Sequence, residues 1–461
     1  MFETKTYADR RKQLKQDVSS GLILMPGSGE SAMNYPGNPY YYRQDSSFLY
    51  FFGIDKPGFY GLIDVDGDKD YIFGTDFTID DIIWMGPQPA VKYLAAAVGV
   101  DNTGAPAQLK ELLDKARSAG KKIHFLPPYR GENILEINNL TGIPTGEVKK
   151  EASLELIKAV VKQREIKSAE EVAEIEKSLD ISSEMYKMVM QMAKPGTYER
   201  EITGRIEGIV GSAGSFISFP VILTTHGETL HNHYHGNKLE KHDLLVVDSG
   251  AESPLHYASD ITRTFPVGGK FTPEQKDIYQ VVYAAVTSAT EAITPGKMNK
   301  EIHLQTAKVI AAGLKDLGLM KGDLDAAVKE GAHALFFPHG LGHMMGLDVH
   351  DMEDLGEDNV GYDDTVVRSR QFGLAYLRLA KELKPGFVLT VEPGIYFIPA
   401  LIDQWHGEKR FADFINYDQV SKYKGFGGIR IEDDVLVTDN GFRVLGKPIP
   451  KTAAEIEEIM A

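Results

Sequence analysis

KHDLLVVDSG, residues 241–250, is a run of four aliphatic residues that ends on an aspartate and a Ser-Gly turn. Such a run reads as a buried strand, and a carboxylate at its end, Asp248, needs something to offset its charge. The pattern returns in KPGFVLTVEPG (384–394), a second buried strand ending on Glu392 and a Pro-Gly turn. Upstream of each strand the chain also repeats itself. KPGTYEREI (194–202) and TPGKMNKEI (294–302) share Pro-Gly, four residues, then Glu-Ile, and THG (225–227) has a counterpart in PHG (338–340). Downstream, SDITRTF (259–265) parallels RIEDDVLV (430–437). The gaps differ, but four features kept in order imply two related halves facing one another across a pseudo-twofold axis.

The repeat pairs Asp248 with Glu392 and Asp260 with Glu432. Each acid lies on or beside a run of Val, Leu and Ile, where an unpaired charge is costly and must find a cation or a proton. The plain alternative is four independent strand-end or hairpin acids. Their regular placement favours convergence on metal. HGLGHMMGLDVHD (339–351) adds three histidines, His339, His343 and His350, in a chain with 13. Its glycines argue against one regular helix and leave the imidazoles free to face one cavity from turns and a strand. Four carboxylates and a histidine are more than one ion needs and suit a pair of ions about 3.5–4 Å apart. Oxygen-rich ligation without sulfur favours hard or borderline cations such as manganese over structural zinc.

At 461 residues, two domains are the expectation. The net charge of −16 repels phosphate backbones and no basic patch offsets it, so nucleic acid is not an expected partner. With no cysteine, thiol nucleophiles, thiolate zinc sites and disulfides are excluded. The amino terminus is charged throughout, and no window approaches the ~20 apolar residues of a membrane span, so a cytoplasmic protein without membrane contact is expected. Residues 1–153 alternate strands (22–27, 59–66, 69–74, 122–128) with a helix over 106–119, the pattern of an α/β domain. PGNPYYYRQDSSFLYFFG (36–53) is aromatic-rich and reads as core or interface. Residues 154–167 read as a helical connector. Residues 168–461 form a second, α+β unit, opened by a capping box at Ser168 and Glu171, with another at Thr272 and Gln275.

DSGAE, SDITRTFP, HGLGHMMGLDVHD, VEPGIY and GGIRIEDDVLVT, in this order, resemble the proline-peptidase branch of the pita-bread metallopeptidases, which holds prolidase (Xaa-Pro dipeptidase) and aminopeptidase P. YYYRQDSSFLYFFG and the IWMG around Trp84 look like the amino-terminal domain of the same enzymes, so the resemblance spans nearly the whole chain. It implies a pita-bread catalytic domain and hydrolysis of the Xaa-Pro bond by a hydroxide shared between two divalent ions. Carried over by motif position, Asp248 chelates one ion, His343 and Glu392 the other, and Asp260 and Glu432 bridge them. The resemblance also gives Glu392 the proton, His231 and His350 the scissile carbonyl, and His339, Tyr396 and Arg430 places in the substrate pocket. Arg430 stands two residues before Glu432 on one strand face and can orient the carboxylates. Trp84 is assigned to a neighbouring subunit's site, as the family's dimers imply a homodimer or larger homo-oligomer.

Two departures stand out. The loop from Asp248 to Asp260 is one residue longer than the family's hairpin, which predicts a bulged ESPLHY turn. HGETLHNHYHG offers His226, His231, His233 and His235; His231 stands at the family's ungapped distance before KHDLLVVD, and the others are assigned to the surface or behind the site. The segments around YLRLAKELKPG and IYFIPALIDQWHGEKRFADFINYDQVSKYKGFGG match prolidase in length. Arg378, in YLR, then matches the arginine that receives the dipeptide's free carboxylate, against the plain reading of a solvated helix arginine. The expected activity is Xaa-Pro dipeptidase, with aminopeptidase P as the alternative. A metal-free, non-peptidase or interaction protein of the same fold is the distant third, disfavoured because all five ligand positions are filled by competent residues.

Overall fold

The computed structural model describes all 461 residues, in two units: Met1–Arg164 with Glu353–Asn359, and Glu165–Met352 with Val360–Ala461. No helix is long and apolar enough to cross a membrane.

In the first unit, strands β1 (Leu22–Pro26), β2 (Tyr60–Asp64), β3 (Lys69–Phe73), β4 (Asn102–Gly104) and β5 (Ile123–His124) form one mixed sheet in the order β4-β3-β2-β1-β5. The β1–β2–β3 centre is antiparallel and both edges are parallel. Seven helices accompany it: α1 (Thr4–Asp17), α2 (Ser46–Phe52), α3 (Ile79–Met85), α4 (Val91–Ala97), α5 (Pro106–Ser118), α6 (Gly131–Thr141) and α7 (Leu154–Arg164). Leu109 and Leu113, four apart on α5, pack with Leu22, Leu24, Leu62 and Phe73 of the sheet. The strand expected over 122–128 shrinks to two residues, because Pro127 and Pro128 follow and cannot donate to a ladder.

The aromatic run 46–52 is α2, started by Asp45, whose carboxylate accepts from Phe48 N at 2.8 Å, and fully buried. It stops at Gly53, where φ is +60° and an added Cβ would lie 2.4 Å from the Tyr7 ring. The segment expected to be a connector divides: α7 belongs to the first unit. Its Lys162 pairs with Asp17 at 2.5 Å and its Arg164 donates to Ser47 Oγ at 3.0 Å.

The second unit carries the repeat. Its first half is α8 (Ala169–Met192), α9 (Glu199–Ser212) and a three-stranded antiparallel sheet of β6 (Ile222–Thr224), β7 (Leu244–Ser249) and β8 (Ile261–Pro266). Its second half is α10 (Pro273–Glu291), α11 (Asn299–Asp316), α12 (Leu324–Glu330), β9 (Val388–Val391), β10 (Gly394–Tyr396), β11 (Gly428–Arg430), β12 (Asp433–Thr438) and β13 (Gly441–Val444). Both capping boxes form, at Ser168/Glu171 and Thr272/Gln275.

The two Pro-Gly turns are the same device built twice. Gly196 N donates to Leu239 O at 2.8 Å, and Gly296 N to Leu383 O at 2.9 Å. Leu239 N returns a bond to Thr197 O, as Leu383 N does to Lys297 O. Both glycines have positive φ, +99° and +84°, which explains why neither position is another residue.

One counterpart is offset. Ile222 faces Asp248 in the β6–β7 ladder, and Glu392 N bonds Leu341 O at 2.9 Å beside the Met344–Leu389 bridge. THG and PHG therefore do not superpose; counting along both ladders, His343 takes the place of Thr224. The halves are joined where β8 runs beside 430–432: Glu432 N donates to Thr262 O at 3.0 Å, and Thr264 Oγ1 to Arg430 O at 3.0 Å. Arg263, buried, adds bonds to Glu432 O at 2.6 Å and Asp433 Oδ1 at 2.7 Å.

A second buried ion pair closes the histidine loop. Lys167 Nζ lies 2.9 Å from Asp351 Oδ2, each side chain 1% exposed, and Gly346 packs against both. Replacing Lys167 with Met strands the Asp351 charge and should cost ~3–5 kcal/mol in chemical denaturation, while Lys167→Met/Asp351→Leu should recover most of it. A single variant as stable as the native protein would contradict this account of the pair.

Candidate metal centre and active site

β7 delivers Asp248 at its next-to-last position, and Asp260 stands immediately before β8. Glu392 directly follows β9, and Glu432 immediately precedes β12. His343 comes from the irregular stretch beside β9, where Thr390 N donates to His343 O at 3.0 Å and His343 N to Thr390 Oγ1 at 3.1 Å. The glycines do keep this stretch from forming a helix. Gly342 is pressed so closely on Thr390 that an added Cβ would sit 2.0 Å from its carbonyl oxygen.

Asp260, His343 and Glu432 bring one ligand atom each within 4.8 Å of one another, and all three are buried. His343 Nε2 is 3.4 Å from Asp260 Oδ2 and 3.8 Å from Glu392 Oε1. Asp248 adjoins Asp260 but turns one oxygen to Arg430, whose Nη2 is 2.6 Å from Asp248 Oδ2. Arg430 also donates through Nη1 to Tyr396 OH at 2.8 Å and through Nε to Thr262 Oγ1 at 3.1 Å. Its expected orienting role thus falls on Asp248 and Tyr396 directly, and on Glu432 through Thr262.

Electrostatics sharpen the picture. Burial raises Asp260 and Glu432 well above the usual carboxylate range, and their neighbouring acids push further: Asp248 acts first on Asp260, and Asp260 first on Glu432. Burial pushes Glu392 up to about 7, with His343 and Arg430 opposing. Asp248 Oδ1 and Asp260 Oδ1 are buried without a hydrogen-bond partner. Crowded acids with orphaned oxygens, one imidazole and no sulfur are a donor set that fits divalent cations.

His350, His339 and His231 lie near this core. The His350 ring lies 4.1 Å from that of His343. His339 bonds Tyr396 OH through Nε2 at 2.9 Å, and burial first, then the Arg430 charge, lowers it to about 3. His231 is exposed as a residue, yet loss of solvation and then the Arg430 charge hold its imidazole below its ordinary value. The charges of Asp248, His350 and Arg378 also act on His231, and Arg378 acts on His339 and Glu392 as well. His226 pairs with Glu228 at 3.3 Å, His235 bonds Leu223 O at 3.1 Å, and His233 is exposed. Trp84 lies in the first unit on α3 and is 86% exposed. At ESPLHY the chain turns, with His256 at φ +68° and its Nδ1 2.5 Å from Glu252 Oε2.

Three residues were missed. Thr262 Oγ1 donates to Glu432 Oε2 at 2.7 Å, Thr390 Oγ1 lies 3.5 Å from Glu392 Oε1, and Asp434 accepts from Asp260 N at 3.0 Å. Each stands two residues from an acidic ligand candidate, and the period-two rule of strands could have found them.

The chain is similar to known proteins along nearly its whole length. The model of metallopeptidase family M24 matches residues 173–439, and that of the aminopeptidase P N-terminal domain matches 7–124. The Homo sapiens protein named Xaa-Pro dipeptidase is 32% identical over 464 residues, covering 96% of this chain and 90% of the relative. A probable Xaa-Pro aminopeptidase of Paracoccidioides lutzii is 31% identical over 472 residues, covering 99% and 97%. The structure of aminopeptidase PepP from Pseudomonas aeruginosa has a TM-score of 0.81 at 28% identity, covering 100% of this chain and 98% of that one.

The raised carboxylates set a sign for stability in the metal-free protein. Their folded values lie above the unfolded ones, so their contribution is present below the ordinary carboxylate range and lost as pH rises through the folded values, about 7 for Glu392. Chelated protein should therefore melt lower at about pH 8 than at about pH 6, and added manganese should reverse the order because deprotonated acids bind it best. A melting temperature of the chelated protein that rises over this interval would refute the assignment.

Proposed function

The chain belongs to metallopeptidase family M24, and from that membership we propose that it hydrolyses Xaa-Pro dipeptides, releasing the amino-terminal residue and proline. The observation that carries the reading is the cluster of buried acids, with an arginine, Arg378, close enough for its charge to act on Glu392. Asp248, Asp260, His343, Glu392 and Glu432 would hold two divalent ions. Manganese is the ion we infer, because all but one of the donors are carboxylates. Such ions supply a water that is nucleophilic near neutral pH and positive charge for the developing oxyanion.

The chain's own groups do the rest. Glu392 takes the attacking water's proton and passes it to the proline nitrogen. His231 and His350 donate hydrogen bonds to the scissile carbonyl oxygen. His339 and Tyr396, bonded to each other, form the wall for the proline ring, and Arg430 holds both Tyr396 and Asp248 in place. Arg378 receives the dipeptide's carboxylate, which a longer peptide replaces with a neutral amide.

A second reading, removal of the first residue from longer Xaa-Pro peptides, keeps its place because relatives bearing the aminopeptidase name are as similar as those named dipeptidase. We also infer a homodimer or larger homo-oligomer. Helix α3 buries none of its residues, and Ile79, Ile83 and Trp84 are 73%, 70% and 86% exposed, an apolar face that a second copy would cover, with Trp84 reaching that copy's site.

Replacing Arg378 with Ala should raise KM for Ala-Pro or Leu-Pro by roughly ten- to a hundredfold, as loss of a charge-assisted pair implies, and hardly change cleavage of Xaa-Pro-Yaa. Native enzyme that cleaves tripeptides as fast as dipeptides would give the second reading the advantage. His231→Ala or His350→Ala should lower kcat by roughly 10²–10³ with both metals retained. Metal lost from the His350 variant would mean that its role belongs to a ligand.

A further inference from the structure

Arg378 stands at the end of a turn whose backbone is fixed from three directions. Leu374–Tyr376 make one 3-10 turn, and Leu377 and Leu379, the neighbours of Arg378, are 1% and 0% exposed. From one side Tyr362 and Arg368 bind the turn's carbonyls. Tyr362 OH donates to Leu377 O at 2.6 Å, and Arg368 Nη1 donates to Ala375 O at 3.1 Å and to Leu377 O at 3.4 Å. The two side chains support each other, with the Arg368 guanidinium carbon 4.5 Å from the centre of the Tyr362 ring.

From a second side comes Gly361, where an added Cβ would lie 1.7 Å from Arg378 O, and whose carbonyl accepts from Ala380 N at 2.8 Å and Lys381 N at 3.0 Å. From the third comes Gly340, adjacent to His339, where a Cβ would lie 2.8 Å from Leu377 Cα. The turn is thus tied to the same stretch that carries the pocket histidine.

We propose that Tyr362 and Arg368 are positioning residues for dipeptide selectivity, holding the Leu374–Arg378 turn so that the Arg378 guanidinium meets the substrate carboxylate already ordered. The proposal rests on the reading of Arg378 as the carboxylate receptor. An arginine on a mobile turn must be ordered as substrate binds, and that cost is subtracted from the charge-assisted bond. A turn that can withdraw also ceases to penalise a chain that continues beyond proline. Neither Tyr362 nor Arg368 needs to touch substrate for this effect.

The test uses the full-length, metal-loaded enzyme. Arg368→Gln and Tyr362→Phe, the latter removing only the hydroxyl, should each raise KM for Leu-Pro by roughly three- to tenfold. The kcat for Leu-Pro, the KM for Leu-Pro-Gly and the metal content should remain within about twofold of native. On an Arg378→Ala background, Arg368→Gln should add no further rise, because the two residues act through one bond. A large Arg378→Ala effect with none from Arg368→Gln and Tyr362→Phe would overturn the brace alone. So would an undiminished effect on the Arg378→Ala background, or an equal loss of kcat on both substrates, which marks a merely structural role. Should Arg378→Ala itself leave the dipeptide-to-tripeptide ratio unchanged, the underlying reading falls and the brace with it.

Discussion

Gathering acids out of water is the constraint on which the second unit depends. Asp248, Asp260 and Glu432 are 8%, 5% and 1% exposed; Asp248 makes Asp260 harder to ionise, and Asp260 does the same to Glu432. A single arginine, Arg430, meets one of them directly. The remaining charge calls for cations, because buried carboxylates without them would take up protons and lose the ability to ligate. The site is costly to form without metal and for that reason well adapted to holding it.

The repeat explains how a chain can place these acids so closely. Each half ends a buried strand near a carboxylate and begins the next strand just after another, and the halves meet where β8 runs beside 430–432. Acids from strand ends that are far apart in sequence thereby share one small volume. The seam is held by groups that also touch the acids. Thr262 gives its hydroxyl to Glu432 and its carbonyl to Glu432 N, while Arg263 fixes the backbone of Glu432 and the side chain of Asp433. Stability at the seam and geometry at the site are therefore one property.

Much of this was legible in the sequence, because the features that carry the chemistry are also those with strong local rules. Aliphatic runs ending in acids, Pro-Gly turns and capping boxes each have a short-range physical reason, and they recur in the fold where the pattern puts them. What escaped was set by tertiary pairing. THG and PHG look alike but lie out of register, since ladder pairing, not tripeptide identity, decides which residues face each other. Helix α7 reads as a connector because its ion pair with Asp17 and its hydrogen bond to Ser47 reach residues over a hundred positions away. Thr262 and Thr390 carry no charge and so give no signal by residue type, although a spacing of two from Asp260 and from Glu392 puts them on the ligand face.

We propose that the buried acids hold two cations jointly, and counting the ions tests this most directly. Chelated protein titrated with manganese, followed by calorimetry and by elemental analysis after dialysis, should bind two ions per chain. Glu432→Gln should lose the second ion and its activity together, since a neutral amide bridges two cations poorly. Native protein that saturates at one ion while fully active, or a Glu432→Gln variant that keeps both ions and near-native turnover, would contradict the account.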